Sequence, residues 1–314
     1  MLSELLTKNP LILAEGAIAE QLRRMPEVEL HPTLFNTPLI YARNAIKSRM
    51  TALYEEYLEV ASAADLPLLL TAPTWRLDAR RVAEAEVPSS INTDAVKYLC
   101  EVRDRYSSRR EVLVGALVGP KEDCYRPELS PSAEEAADFH SPQLQELAAS
   151  QAQFLQAQTI PSLREGLGIA RAASGLGKPY IISFCAGPDG AILDGTRLNE
   201  AMEVIDQTVE EKPLGYAVSC TYPSFLNSYP QGSLDRLIGI QANGSAKDVT
   251  RLDGSGATTA EPVEEWARVT LSLHRLHQVK ILGGCCGTSA EHLRRLVALT
   301  RKPPHSGEVS YSED

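Results

Sequence analysis

Three cysteines carry the chemistry this chain is equipped to do. Cys285 and Cys286 are adjacent within Gly283-Gly284-Cys285-Cys286-Gly287-Thr288, and Cys220 stands alone 65 positions before Cys285. A regular strand sends neighbouring side chains to opposite faces, so two adjacent thiols converge only where the backbone is irregular, and glycine permits that. With Cys220 arriving from another strand end, they would form a three-sulfur cup. Such a cup suits zinc with its fourth position free, the feature that separates a catalytic zinc from a structural one. Three thiolates around the ion leave a net charge of about −1. That centre is poor at making hydroxide and well suited to binding a further sulfur, whose ionised form is the nucleophile. The chemistry that follows is alkylation of a bound thiol. Taken singly, Cys220 reads as a small core residue. The glycines alone would make a phosphate-binding loop leading into a helix over 290–299. Reversible oxidation among the same thiols, in a sensing or binding barrel, is the reading from a different class.

The remaining cysteines of the six, Cys100, Cys124 and Cys185, have no metal-ligand spacing and read as core or loop thiols. No CxxC pair, phosphate-binding P-loop, GxSxG elbow or HExxH helix occurs. His274 and His277 fall three apart in a helical stretch, where a surface or satisfied pair explains them without a metal.

Something must bring position 220 to position 285, and the pattern of the chain supplies it. Apolar runs recur at 11–14, 66–72, 112–117, 154–159, 180–184, 216–220, 237–242 and 279–284, and most end in small or polar residues. Continuous apolar runs bounded by turn residues fit strands buried on both faces of a parallel sheet. Segments of helical spacing alternate with them at 45–63, 95–105, 133–151, 163–174, 199–210, 263–277 and 290–299. In the first of these Tyr54, Leu58 and Ala61 form an inner stripe, while Ser162 and Ser289 stand where helix caps belong. The stretch 222–236, rich in Pro, Ser and Asn, is the weakest helix of the set. Strands alternating with helices eight times over predict an α/β fold of the closed (β/α)8 barrel type, spanning 1–302 as one domain, with a polar tail or oligomer arm at 303–314. Such barrels build their active sites where strands end and loops begin. Cys220 ends the sixth run and Cys285 and Cys286 end the eighth, so all three fall on one rim.

Composition agrees with a soluble globular protein: 43% hydrophobic and 23% charged residues over 314 positions, with a net charge of −10. The negative charge argues against nucleic acid or an anionic membrane as the main partner. No apolar run approaches the roughly 20 residues that span a bilayer. The start, Met1-Leu2-Ser3-Glu4, has no basic stretch leading into an apolar one, which predicts a reducing, cytoplasmic setting.

The glycine–cysteine segment followed by Ser289-Ala290-Glu291-His292-Leu293 closely resembles the carboxy-terminal signature of the homocysteine S-methyltransferase family. Further stretches are similar to that family's strand ends: Ala14-Glu15-Gly16-Ala17, Thr71-Ala72-Pro73-Thr74-Trp75, Val114 through Pro120, Thr159-Ile160-Pro161, Phe184 through Thr196, and Ser219-Cys220-Thr221. The resemblance implies a (β/α)8 barrel with zinc on Cys220, Cys285 and Cys286. It further implies an acceptor thiol in the open coordination site, homocysteine becoming methionine, and a small methyl donor. The bare-barrel length is most like members that use the sulfonium donors S-methylmethionine or S-adenosylmethionine. It places Glu15, Gly16, Thr74 and Gln158 around the acceptor, with Asn243 as a further rim residue; Arg76, just past the second strand end, would suit a substrate carboxylate. Glu15 replaces the family's usual Asp, Gln158 stands where Glu is common, and Ser219 where Asn is usual. One charge fewer predicts a weaker grip on the acceptor's ammonium group. A different small thiol is therefore the alternative acceptor.

Overall fold

The eight apolar runs pair side by side in chain order and close on themselves. The computed structural model describes residues 1–43, 45–251 and 260–301. Its strands are β1 (Ile12–Ala14), β2 (Leu68–Ala72), β3 (Val112–Val118), β4 (Phe154–Ile160), β5 (Tyr180–Phe184), β6 (Gly215–Thr221), β7 (Leu237–Ala242) and β8 (Ile281–Gly284). All are parallel, and β8 pairs back onto β1 to complete an eight-stranded barrel. The helices are α1 (Leu2–Lys8), α2 (Ile18–Arg23), α3 (Ala45–Ala64), α4 (Ala79–Glu84), α5 (Ile91–Arg105), α6 (Ala133–Ala149), α7 (Leu163–Ala173), α8 (Leu198–Thr208), α9 (Val263–His277) and α10 (Ala290–Thr300). None among the described residues is long and apolar enough to cross a membrane.

Alternation along each strand divides the core in two. On β2, Leu68 and Leu70 join the outer layer between sheet and helices, whereas Leu69 points inward with Ile12, Leu113, Phe154, Ile181, Ala217 and Ile281. Leu2, Leu5 and Leu6 of α1 pack onto this inner cluster and plug one end of the barrel. This short helix was not among those expected from the sequence, nor were α2 and α4. Above the apolar floor the interior turns polar, with Gln156 Nε2 donating to Gln241 Oε1 across the barrel at 2.7 Å. That leaves the opposite end, where the strands finish, for chemistry.

Tyr54, Leu58 and Ala61 are buried as their spacing requires. Ser162 caps α7 by accepting from the Glu165 N–H at 3.3 Å. Ser289 occupies the cap position of α10, but there the bond runs from the Ser289 N–H to His292 Nδ1 at 3.2 Å. The stretch 222–236 holds only a short 3-10 turn, Pro223–Leu226, in place of a crossover helix. The tail expected at 303–314 lies outside the described residues.

Candidate metal centre and cleft

Cys220 reaches the mouth of the barrel through a break in its own strand. The β6–β7 register shifts between Ser219 and Thr221, and Cys220 itself has φ of 50°. A left-handed residue other than glycine is uncommon and costs of order 1 kcal/mol. The matching irregularity lies two strands away, at Thr159 of β4, with φ of 62°. Ser219 ties the two together: its hydroxyl accepts from the Thr159 N–H at 2.8 Å and from Ser183 at 3.0 Å. Ser219 thus holds strand ends under the site.

The loop after β8 brings up the other two sulfurs. Cys220 and Cys285 are joined as a disulfide with Cα atoms 5.4 Å apart, and Cys286 Sγ lies 3.8 Å from Cys220 Sγ. All three sulfurs fall within 4.8 Å of one another, and they are the residues the structure groups as a possible metal site among those described. The edge of a sulfur tetrahedron around zinc is about 3.8 Å for bonds of about 2.3 Å, so this spacing suits the ion once the pair is reduced. The electrostatics agree. Burial, with the charge of Glu20 next, pushes the Cys286 thiol up to about 12, against the pull of the Tyr125 hydrogen bond and Arg23. Unaided, the Cys286 thiol resists ionisation; a divalent cation reverses that balance. Cys185 packs beneath, with Sγ 4.0 Å from the Cys220 carbonyl, outside the metal group. His274 Nδ1 sits 2.7 Å from the Val279 carbonyl oxygen, and neither it nor His277 joins a metal cluster among the described residues.

The three cysteines open onto a cleft of about 890 Å³ whose lining includes Glu15, Gly16, Gln158 and Asn243. Thr74 is not in that lining. Its hydroxyl is engaged between β2 and β3, donating to the Leu117 carbonyl at 2.7 Å and accepting the Leu117 N–H at 2.8 Å. Thr71, three residues earlier and within β2, faces the cleft instead and donates through both its N–H and its hydroxyl to Glu15 Oε1. Asn243 faces the cleft with its amide tied to the Ser245 carbonyl at 3.1 Å. Glu15 Oε2 and Gln158 Oε1 are both buried without a hydrogen-bond partner. Two orphaned acceptors opening on one cleft have the chemistry to take a donor-rich group such as an ammonium.

Burial raises the Glu15 carboxyl to about 7, against the lowering effect of its bonds from Thr71. The unfolded chain loses this proton near pH 4.5 and the folded protein holds it, so stability falls as pH rises from about 4.5 towards 7. The penalty at higher pH is on the order of 3 kcal/mol. Glu15→Gln in reduced, metal-free protein is therefore expected to raise the melting temperature clearly at pH 8 and little at pH 5. Equal shifts at both pH values would show that Glu15 does not carry this cost.

Other groups shape the mouth without having been expected there. Glu20 of α2 accepts the Gly287 N–H and pins the cysteine turn, while Arg23, Phe35, Trp75 and Tyr125 line the cleft. Trp75 had a signal, since it directly follows the strand-end segment that contains Thr74.

The family model for homocysteine S-methyltransferase matches residues 12–300. A curated relative, homocysteine S-methyltransferase YbgG of Bacillus subtilis (strain 168), is 24% identical over 320 residues, covering 96% of this chain and 98% of that protein. Among solved structures, the metallated form of the homocysteine methyltransferase MmuM from Escherichia coli superposes with a TM-score of 0.74 at 17% identity, covering 95% of this chain and 99% of that one. Its oxidized form gives 0.75 at 18% identity with the same coverage.

Proposed function

The chain belongs to the homocysteine S-methyltransferase family, and from that premise we propose that Cys220, Cys285 and Cys286 hold zinc while the adjoining cleft aligns a methyl donor with homocysteine. The protein is a methyltransferase. The observation that carries the finer reading is the meeting of three sulfurs, from two strand ends far apart in sequence, within 4.8 Å beside one cleft. Zinc bound there would take the acceptor thiol in its free position and favour the thiolate near neutral pH.

The chain's own residues do the rest by placement. Methyl transfer between two sulfurs needs both substrates in one space, with donor and acceptor in line. The cleft volume, about 890 Å³, is at the upper end of small-molecule sites and has room for both. Glu15 Oε2 and Gln158 Oε1 receive the acceptor's ammonium, Thr71 holds the Glu15 carboxylate in place, and Gly16 and Asn243 complete the wall. The thiolate's electron pair forms the new carbon–sulfur bond. The donor's bond breaks with its pair staying on the donor sulfur, so a sulfonium leaves as a neutral thioether. A donor that carries positive charge suits a centre whose net charge is negative. The reading requires Cys220 and Cys285 to be reduced, as they would be in a cytoplasmic setting.

Reduced, zinc-loaded protein offered sulfonium, betaine and methyl-folate donors against a panel of small thiols tests this. Methionine formed from homocysteine and a sulfonium is the expected product. Methylation of another thiol in preference to homocysteine would overturn the acceptor, and no transfer from any pair would overturn the whole reading. Because Gln158 offers a neutral oxygen where a carboxylate would offer charge, Gln158→Glu is expected to lower KM for homocysteine about fivefold. It should leave KM unchanged for an acceptor lacking the amine. An equal change for both thiols would show that Gln158 does not meet the ammonium.

A further inference from the structure

The cleft has a cationic wall. Phe35 and Trp75 stack with ring centroids 5.8 Å apart and planes 17° from parallel. The Arg76 guanidinium lies over Trp75 at 4.6 Å and over Phe35 at 5.6 Å, and Arg23 lies over Phe35 at 5.4 Å. All four residues line the same cleft as the cysteines. Their neighbours Arg24, Arg80 and Arg81 each hold a carboxylate, those of Glu20, Glu122 and Asp78. Arg23 and Arg76 hold none among the described residues. Arg76 gives one hydrogen bond, to the Glu122 carbonyl at 3.1 Å. Its burial, and then Arg81, work against its charge, while the nearby Cys124, Asp123 and Asp78 favour it without closing an ion pair among the described residues. Phe35 is itself held at φ of 53°, an outlier for a bulky residue, so its ring is placed at a conformational cost.

A cage for a quaternary ammonium needs bare aromatic faces. Here guanidinium groups already cover them, and the partner they lack is an anion. The acceptor's ammonium belongs with the deeply buried Glu15, whereas Arg23 is exposed at the rim. The rim is left for the second substrate. We propose that Arg76 and Arg23, braced on Phe35 and Trp75, receive the carboxylate of the methyl donor. The donor is then a carboxylate-bearing sulfonium lying with its positive sulfur towards the cysteine centre and its negative end towards the arginines. This rests on the methyltransferase reading above and adds the residues that anchor the donor.

The test compares S-methylmethionine with its decarboxylated dimethylsulfonium analogue, at fixed homocysteine, in zinc-loaded wild type, Arg76→Gln and Arg23→Gln. Loss of the donor carboxylate should cost wild type about 10- to 100-fold in kcat/KM for donor, the range of a charge-assisted bidentate bond, and cost Arg76→Gln far less. Arg23→Gln, whose side chain makes no internal hydrogen bond in the described structure, serves should Arg76→Gln fold poorly. KM for homocysteine should not move. An equal penalty in wild type and both variants overturns the anchor, and so does an effect that falls on homocysteine KM, which would assign the arginines to the acceptor. Trp75 gives a second readout independent of turnover, because the other tryptophan, Trp266, is fully buried. The intact sulfonium should quench Trp75 fluorescence at lower concentration than the decarboxylated one. If no pair of substrates reacts, the methyltransferase reading falls on its own, while equal quenching by the two sulfoniums sinks the donor anchor.

Discussion

Cys285→Ser is expected to lose zinc and methyl transfer together, while keeping the barrel. The residue is paired with Cys220 and adjacent in sequence to Cys286, the other two proposed ligands. A serine hydroxyl ionises far less readily than a thiol, so the variant offers two sulfur ligands where a closed set of three is needed to hold the ion. Metal content by mass spectrometry should fall from a single ion per chain to trace levels under reducing conditions, and activity should fall below detection. Circular dichroism should not change, since the site lies outside the two apolar clusters that hold the barrel together. Cys185→Ala is the control. It removes a fully buried sulfur from the layer beneath without touching the metal group, and should keep zinc and most activity at a cost of about 1 kcal/mol in stability. Zinc retained in Cys285→Ser with full activity would end the mechanism. Zinc lost with activity intact would leave the cysteines structural.

The barrel was legible because its strands are buried on both faces, so each reads as an unbroken apolar run. Tyr180–Phe184 and Leu237–Ala242 coincide with the expected runs. The mismatches run both ways: β3, β4 and β6 extend past the expected runs to Val118, Ile160 and Thr221, whereas three runs begin before their strands. Leu11, Leu66 and Val279 are apolar approaches to strands and lie just outside their ladders, because apolar character marks burial and not pairing. The short helices α1, α2 and α4, of six or seven residues, span too few turns to show a period, and α1 and α2 lack a side-chain cap. The cysteine triplet was legible because its residue types are rare and its spacing falls on strand ends. The left-handed turn of Cys220 was not, since nothing in a Ser-Cys-Thr triplet announces a positive φ. Thr74 shows the limit of placing a side chain from its neighbours: the chain turns sharply after Ala72, with the Thr74 N–H bonded to the Ala72 carbonyl at 2.7 Å, and the hydroxyl swings onto β3. The arginine–aromatic wall was hidden for a tertiary reason. Phe35 and Trp75 are 40 positions apart, on separate loops that meet only once the barrel closes.

Gly244→Ala is expected to weaken zinc binding about 10- to 100-fold without contributing or removing a ligand, the range seen when groups that support metal ligands are lost. β7 lies between the two ligand-bearing strands and sets their spacing. The Asn243 N–H donates to the Thr221 carbonyl at 3.1 Å, beside Cys220; the Cys285 N–H donates to the Ala242 carbonyl at 2.8 Å; and the Gly244 N–H donates to the Cys286 carbonyl at 2.7 Å. A Cβ on Gly244 would stand 2.9 Å from the Gly287 carbonyl carbon and oxygen and 3.1 Å from the Cys286 oxygen. Those are backbone atoms, so no rotamer change relieves the contact, and the cysteine turn must move away from β7. The motion carries Cys285 and Cys286 away from Cys220 and opens the cup that the proposed metal site needs closed. Overpacking of this kind costs about 1–3 kcal/mol, which a barrel of this size survives. The competition of a chromogenic chelator for zinc measures the affinity, and thermal unfolding of the metal-free form measures the strain. Strain without a change in zinc affinity would mean that the cysteine turn holds its position independently of β7, and the close approach of these two loops would then have no part in building the site.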